Sequence, residues 1–145
     1  MILINEISPH LPIYLWGSNA RQVFDSGLRG AQLLATAHAE NPESLIHQLM
    51  AYPTNATIEQ LRLWDLVIFL SAWRTSTGIH REIRSIVSLS GEVDQGIRMD
   101  QLAARSTDGD SLIWNEPNAK VLNDRMEARS RRWTGSPFPG IETPG

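Results

Sequence analysis

The chain has 145 residues, of which 41% are apolar and 20% are charged, and its formal net charge at pH 7 is −3. This length and composition predict one soluble globular domain with a single core, and they exclude a chain that is disordered throughout. The absence of cysteine excludes disulfide scaffolds, cysteine-based zinc sites and thiol chemistry. The negative charge argues against a protein that is held to nucleic acid by charge alone.

Residues 1–17 contain Pro9 and Pro12, which predict an irregular lead-in. They lack the positive leader and cleavage site of a signal peptide. The turn at 17–19 predicts a capped helix over residues 20–40. On that helix, small residues spaced four apart would form a ridge that packs closely, either inside the core or as a seam between copies. The ridge consists of Gly27, Ala31, Ala35 and Ala39.

Three more helices are predicted in the middle of the chain. Asn41 is placed to cap a helix over residues 42–51, and the spacing of Thr57 and Gln60 predicts a capping box. The helix after this box, over residues 58–73, is apolar on more than one face, so we expect it at the centre of the domain. A helix over residues 79–89 has one apolar side and would pack on the outside of that central helix.

Residues 97–115 allow two structures. They predict either a fifth helix or a β-hairpin that turns at Asp108 and Gly109. A charged helix with a thin apolar stripe is predicted over residues 118–132. The expected fold is therefore mainly α, a bundle of four to five helices over residues 18–132, followed by an extended C-terminal arm over residues 133–145.

The sequence contains no catalytic or metal-binding signature. Its histidines are far apart and form no His-Glu-x-x-His pattern, and Asp108-Gly109-Asp110 lacks the later ligands of a calcium loop. No Gly-x-Ser-x-Gly motif occurs. Gly27 and Gly30 fall within a predicted helix, so they do not indicate a phosphate-binding loop. We expect no catalytic residue, no metal and no cofactor, and we interpret His38 as a structural histidine.

The C-terminal arm combines arginines, aromatic residues and prolines. Prolines favour an extended peptide, and the aromatic and apolar side chains would anchor it on a surface. The arm would either dock on a partner or fold back on its own domain. A third alternative places its arginines on nucleic-acid phosphates and the indole on a base. The predicted partner-binding residues are Arg129, Arg131, Arg132, Trp133, Pro137, Phe138, Pro139 and Ile141.

A helical bundle with such an arm resembles the head-to-tail connector (adaptor) proteins of tailed bacteriophages. The resemblance implies a virion protein, assembled in the host cytoplasm, that forms a ring of copies and lays its arm, here residues 129–141, on a portal. It also implies that the helix with the small residues is a packing seam between neighbouring copies. The acidic segment 92–116 of one copy would then face the basic helix 120–132 of the next.

Three functions follow in order of preference. The first is a non-enzymatic structural subunit of a virion connector, with no membrane or nucleic-acid partner. The second is a small regulatory nucleic-acid binder that uses Arg125, Arg129, Arg131 and Arg132. The third is an enzyme of unknown reaction, which would be distinguished by a deep polar pocket with converging titratable groups.

Overall fold

The computed structural model describes residues 1–92, 96–109 and 111–133; the side chains of residues 92 and 129–133 are not described. Within these residues strands and helices alternate first, and an antiparallel sheet and a final helix follow. The elements in chain order are β1 (Ile2–Ile7), α1 (Gly17–Leu28), β2 (Leu33–Ala37), α2 (Pro42–Met50), α3 (Ile58–Leu61), β3 (Val67–Thr75), β4 (Gly78–Glu92), β5 (Gly96–Arg105), β6 (Leu112–Trp114) and α4 (Glu116–Trp133).

The first half of the chain is built around a parallel strand pair. β1 and β2 are hydrogen-bonded in parallel, from Ile2 opposite Leu33 to Ile7 opposite Ala37, and α1 is the crossover helix between them. The side chain of Phe24 on α1 is fully buried and meets the ring of Trp64 edge to face, with 5.7 Å between ring centroids. This ring contact joins α1 to the segment between α3 and β3, where the partly buried Trp64 lies.

The second half is an antiparallel meander in the order β3, β4, β5, β6. Leu122 of α4 packs against Ile86, Leu102 and Ala103, so α4 covers one face of this sheet. α4 is charged over most of its surface. It is held on the sheet by burial of its thin apolar stripe, which includes Leu122.

The predicted helical bundle is wrong, because the fold is mixed α/β with a two-stranded and a four-stranded sheet. Part of the lead-in 1–17 forms β1, and the second half of the predicted helix 20–40 forms β2. The predicted central helix 58–73 is the short α3 followed by β3, and the segment 79–89 lies inside β4. Short apolar runs satisfy helical and strand periodicity equally well, and here strand pairing decided the outcome.

Two of the predicted helix caps are confirmed, whereas the cap predicted at residues 17–19 is wrong, because α1 already begins at Gly17 and has no side-chain cap hydrogen bond. The side chain of Asn41 accepts a hydrogen bond from the backbone N–H of Ser44 at 2.8 Å and caps α2. Thr57 and Gln60 form both hydrogen bonds of the capping box, although the helix they begin has only four residues. Of the two alternatives for residues 97–115, the structure has the hairpin, since β5 and β6 pair antiparallel.

The four small residues do not share a helix ridge, which corrects the predicted geometry of the packing seam. Gly27 lies in α1 and Ala35 in β2, whereas Ala31 and Ala39 lie in the connections before and after β2. Gly27 is buried, and a β-carbon there would lie 2.7 Å from Cδ1 of Leu63 and 2.9 Å from Cδ1 of Leu33. Gly27 therefore packs inside the core of its own chain.

Most of the predicted C-terminal arm lies outside the described residues, including Pro137, Phe138, Pro139 and Ile141. The backbone of residues 129–133 continues α4, so Arg129, Arg131, Arg132 and Trp133 are part of a helix, and their side chains are outside the description. Among the helices that the structure describes, none has the length and apolar character needed to cross a membrane.

Candidate functional site

The most notable polar cluster surrounds Glu6 near the end of β1. Only 9% of its side chain is exposed, which is unusual for a carboxylate, because burying an unpartnered charge is costly. Nδ1 of His38 lies 2.6 Å from Oε1 of Glu6, and the hydroxyl of Thr36 lies 3.2 Å from Oε2. Each carboxylate oxygen therefore has a neighbour that can donate a hydrogen bond to it.

The parallel strand pair is what brings these three residues together. Glu6 and Thr36 lie near the carboxyl ends of β1 and β2, and His38 directly follows β2. Residues two apart on an extended chain point to the same side, so Thr36 and His38 both face Glu6. The hydroxyl of Thr36 also lies within hydrogen-bonding reach of the carbonyl of Asn5, which ties the ends of the two strands to each other.

The exposures of the two ionisable partners differ sharply. The side chain of His38 is 81% exposed, whereas that of Glu6 is almost covered. A carboxylate can only accept a hydrogen bond, so Nδ1 of His38 is the donor, and Nε2 of its ring is left for solvent or a ligand. The pair thus joins a shielded base to an accessible imidazole.

Glu6 and His38 line a wide groove of about 580 Å³ that runs between β2 and β3. One wall is formed by residues 33–39, and the facing wall by residues 66–70 at the start of β3. The remaining lining is mainly aliphatic, with Leu49, Leu61 and Trp64 among its members. Glu6 and His38 are the only ionisable residues that line it in the part of the chain described. This is the usual composition of a ligand site, apolar walls with a few placed polar groups.

A second polar cluster joins α4 to the antiparallel sheet. The guanidinium of Arg125 donates to the carbonyl of Leu89 at 3.0 Å and to the hydroxyl of Ser88, and it lies 3.7 Å from a carboxylate oxygen of Asp65. Arg125, which the sequence assigned to nucleic-acid binding as an alternative, is therefore held in contacts within the protein.

Asp100 on β5 lies next to this cluster. Burial acts to raise the pKa of Asp100. The hydrogen bond from Ser90 at 2.6 Å, the hydrogen bonds and charge of Arg98, and the charge of Arg125 all lower the pKa, and together they outweigh burial. The net result is a pKa of Asp100 below its ordinary value. Because its partners lie on the same sheet and on α4, the role that follows from these contacts is structural.

The Glu6 cluster was not predicted from the sequence. Glu6 was expected in an irregular segment and His38 on a helix over residues 20–40, whereas they lie in β1 and directly after β2. The available signal was the alternation in "LLATAH", residues 33–38, which places Thr36 and His38 on one side of a strand. An apolar run that ends in an acid, "ILINE" at residues 2–6, was the second signal.

No family model and no curated protein matches this chain. No group of three or more His, Asp or Glu side chains within residues 1–92, 96–109 and 111–133 is arranged to hold a metal ion.

Proposed function

We propose that this chain carries the water-activating part of a site that hydrolyses a nucleoside triphosphate. Glu6 is the general base, and Thr36 and His38 are the residues that orient its carboxylate. The observation that carries the proposal is the nearly buried Glu6 carboxylate, 2.6 Å from Nδ1 of His38 and 3.2 Å from Oγ1 of Thr36. Glu6 and His38 are the converging titratable groups expected for the enzyme alternative, but the groove around them is mainly aliphatic and not the deep polar pocket that was also expected.

The chemistry follows from the position of the carboxylate. A fixed glutamate in contact with a water molecule can remove a proton as that water attacks a phosphorus atom. The Nδ1–H of His38 holds the carboxylate in one orientation, and the single hydroxyl proton of Thr36, shared with the carbonyl of Asn5, can support it; this lowers the entropic cost of finding the reactive geometry. The exposed imidazole of His38 lies on the open side of Glu6, and because Nδ1 carries the proton that is donated to Glu6, Nε2 of the neutral ring can accept a hydrogen bond from a bound water molecule.

The location of the cluster supports a nucleotide as the substrate. In open α/β sheets, ligands bind outside the carboxyl ends of the parallel strands, which is where Glu6 and His38 lie. An apolar strand that ends in an acid, here residues 2–6, is also how P-loop NTPases place a carboxylate beside the phosphates, although in those enzymes that acid holds the magnesium ion and a different residue orients the water. This support is an analogy of local structure and chemistry.

The proposal is limited to one part of such a site. The Gly-x-x-x-x-Gly-Lys-Ser/Thr loop that cradles the phosphates in P-loop NTPases does not occur among the 145 residues. We therefore assign the water-activating groups to this chain, and the phosphates would be bound by residues of this chain without such a loop.

Phosphate release from millimolar Mg·ATP tests the proposal, because a high nucleotide concentration offsets weak binding. We expect the change Glu6→Gln to lower the rate about 100-fold or more, since glutamine accepts no proton. Glu43→Gln, which changes an exposed acid on α2, is the matched control and should leave the rate within about twofold. Equal rates for Glu6→Gln and the unchanged protein, or no release above the uncatalysed background, would overturn it.

The structural-subunit hypothesis stays a prediction. Its resemblance to head-to-tail connectors used a helical bundle, which this fold is not, and a C-terminal arm that lies largely outside the described residues. Its test is to delete residues 133–145 and to measure whether the chain still forms a ring or binds a portal.

A further inference from the structure

We propose that the outer part of the β3–β4 hairpin binds a single-stranded nucleic acid. One base stacks on the indole of Trp73, and phosphate groups pair with the guanidinium groups of Arg74 and Arg81. None of these three residues lines the groove of Glu6 and His38, so this binding does not depend on the proposed hydrolysis.

The outer part of the hairpin is a two-stranded ribbon that extends beyond the rest of the sheet. Residues 71–75 of β3 pair with residues 78–82 of β4, whereas β5 pairs only with the part of β4 that begins at Ser85. Residues 72–81 are all exposed. This β-ribbon, residues 71–82, therefore presents both of its faces to solvent, and a linear polymer can contact either face.

One face of the β-ribbon carries two stacked aromatic rings. Trp73 and His80 are opposite each other in the strand register, and their rings are 5.8 Å apart between centroids and 19° from parallel. The hydroxyl of Thr77 lies 3.4 Å from Nε2 of His80 and 2.9 Å from the hydroxyl of Thr75, and these contacts hold the imidazole in place. The imidazole covers one face of the indole, and Trp73 remains 45% exposed. A planar base can therefore extend the stack on the open face of the indole.

The opposite face of the β-ribbon carries positive charge. Residues that pair across two strands share a face, and so do residues two apart on one strand. Arg81 pairs with Ala72, which is two residues before Arg74, so the two arginines lie on one face. Neither guanidinium has an ion pair within the part of the chain that the structure describes. The single acid of the β-ribbon, Glu82, lies 3.0 Å from Nε of Arg105, so its charge is already balanced within the protein.

Stacking and charge together favour a single-stranded nucleic acid over other anionic partners. An acidic polypeptide would pair with the arginines but would leave the aromatic stack unused. In a duplex each base is already stacked between its neighbours, so a single strand offers a base face to Trp73 at lower cost. Among the described strands β3 has β4 as its one neighbour, so a nucleic-acid strand that crosses the β3 edge can meet the indole on one face and the arginines on the other.

The test is the affinity of the full chain for a fluorescently labelled oligothymidylate of about 12 nucleotides, measured by fluorescence anisotropy at about 50 mM salt. We expect saturable binding. An abasic oligomer of the same length should bind at least about tenfold more weakly, because it keeps the phosphates and has no bases to stack. A duplex of that length should also bind at least about tenfold more weakly. These comparisons use the unchanged protein, so they decide the question even if a variant unfolds.

Variants of Trp73 test the stack. Trp73→Leu should weaken binding of oligothymidylate about tenfold and leave binding of the abasic oligomer within about twofold, because only the base contact is lost. Trp73→Phe keeps an aromatic ring and should lose about threefold or less. Trp114→Leu is the matched control, since Trp114 is 52% exposed on β6, and its affinity should stay within about twofold of the unchanged protein.

Variants of the arginines test the phosphate contacts. Arg74→Gln combined with Arg81→Gln should weaken binding of both oligomers and reduce the slope of log affinity against log salt by about 1.4, since each phosphate contact contributes about 0.7. Arg21→Gln combined with Arg29→Gln removes the same charge from exposed positions of α1 and its end, and it should keep the slope. Glu6→Gln should bind the oligomer like the unchanged protein, so hydrolysis and nucleic-acid binding can fail separately.

Three results would contradict the proposal. The first is no binding of oligothymidylate at about 0.1 mM protein. The second is equal affinity for oligothymidylate and the abasic oligomer, or equal effects of Trp73→Leu and Trp114→Leu, because the stack would then play no part. The third is displacement of the oligonucleotide by polyglutamate at equal charge concentration, because the β-ribbon would then be a site for acidic polypeptides.

Discussion

Nδ1 of His38 lies 2.6 Å from Oε1 of Glu6, although 32 positions separate the two residues in the sequence. The parallel pairing of β1 and β2 closes this separation, and the crossover helix α1 occupies the chain between them. The contact depends on the parallel register of β1 and β2, and it orients the nearly buried carboxylate of Glu6.

The first prediction concerns His38 as a positioning residue. We expect His38→Ala to lower phosphate release from Mg·ATP about tenfold, less than Glu6→Gln, because Glu6 loses one of its two orienting neighbours. The free energy of unfolding should also fall by about 1–3 kcal/mol, because the nearly buried carboxylate of Glu6 loses a hydrogen-bond donor even though His38 itself is mostly exposed. Rates and chemical denaturation of the same preparations measure both quantities.

A conservative variant separates positioning from a general effect on the fold. His38→Asn keeps an N–H donor near the position of Nδ1 and should restore most of the rate lost in His38→Ala. His47→Ala removes an exposed imidazole on α2 and should leave the rate unchanged. If the asparagine variant were as slow as the alanine variant, the hydrogen bond to Glu6 would not be the cause.

The second prediction concerns Gly27, where the chain comes close to its own side chains. A β-carbon at this position would meet methyl groups of Leu63 and Leu33 at 2.7 and 2.9 Å. We expect Gly27→Ala to destabilise the protein by about 1 kcal/mol, because overpacking exceeds the gain in helix propensity. Gln22→Ala, at an exposed position of α1, should stay within about 0.5 kcal/mol in the same urea titration. A more stable Gly27→Ala variant would show that the two leucines move aside freely.

Much of the local structure, but not the fold, was predictable from the sequence. Helix caps were predictable because they are local: the caps at Asn41 and Thr57 form hydrogen bonds only with residues three positions further along the chain. The choice between helix and strand for residues 67–75 depended on pairing with β4, which lies outside any sequence window. In β3, residues 67–71 alternate between partly buried and exposed, but the run is short enough to suit a helix as well.

The site was harder to predict than the elements, for a related reason. Glu6 and His38 become a pair only when β1 and β2 lie side by side in parallel. No motif in the sequence marks that pairing, and one wrong helix over residues 20–40 was enough to place His38 on the wrong element. A βα-unit of about 30 residues was the alternative that would have brought the two strand ends together.

The third prediction concerns Arg125 as the link between α4 and the rest of the domain. We expect Arg125→Met to destabilise the protein by about 1–3 kcal/mol, because the carbonyl of Leu89 and the hydroxyl of Ser88 lose a charged donor. Lys120→Met removes an exposed charge from the same helix and should change stability by less than about 0.5 kcal/mol. Equal stabilities of the two variants in chemical denaturation would contradict a structural role for Arg125.

The fourth prediction concerns pH and Asp100. Its pKa in the folded protein lies below the value of about 3.9 for an unfolded chain, so the folded state binds its proton less readily. The resulting stabilisation is fully present above pH 4 and is lost as the pH falls through the lowered pKa. We therefore expect the free energy of unfolding to fall more steeply between pH 5 and 3 in the unchanged protein than in Asp100→Asn.

The control for this experiment is Asp124→Asn, which changes an exposed acid on α4. Its pH dependence should follow that of the unchanged protein. Urea titrations at closely spaced pH values measure the slopes for the three proteins. Removing Ser90 should act in the same direction as removing the carboxylate, because its hydroxyl donates to Oδ2 of Asp100 at 2.6 Å. If Ser90→Ala kept the full acid sensitivity, the low pKa would have to be attributed to Arg98 and Arg125 alone.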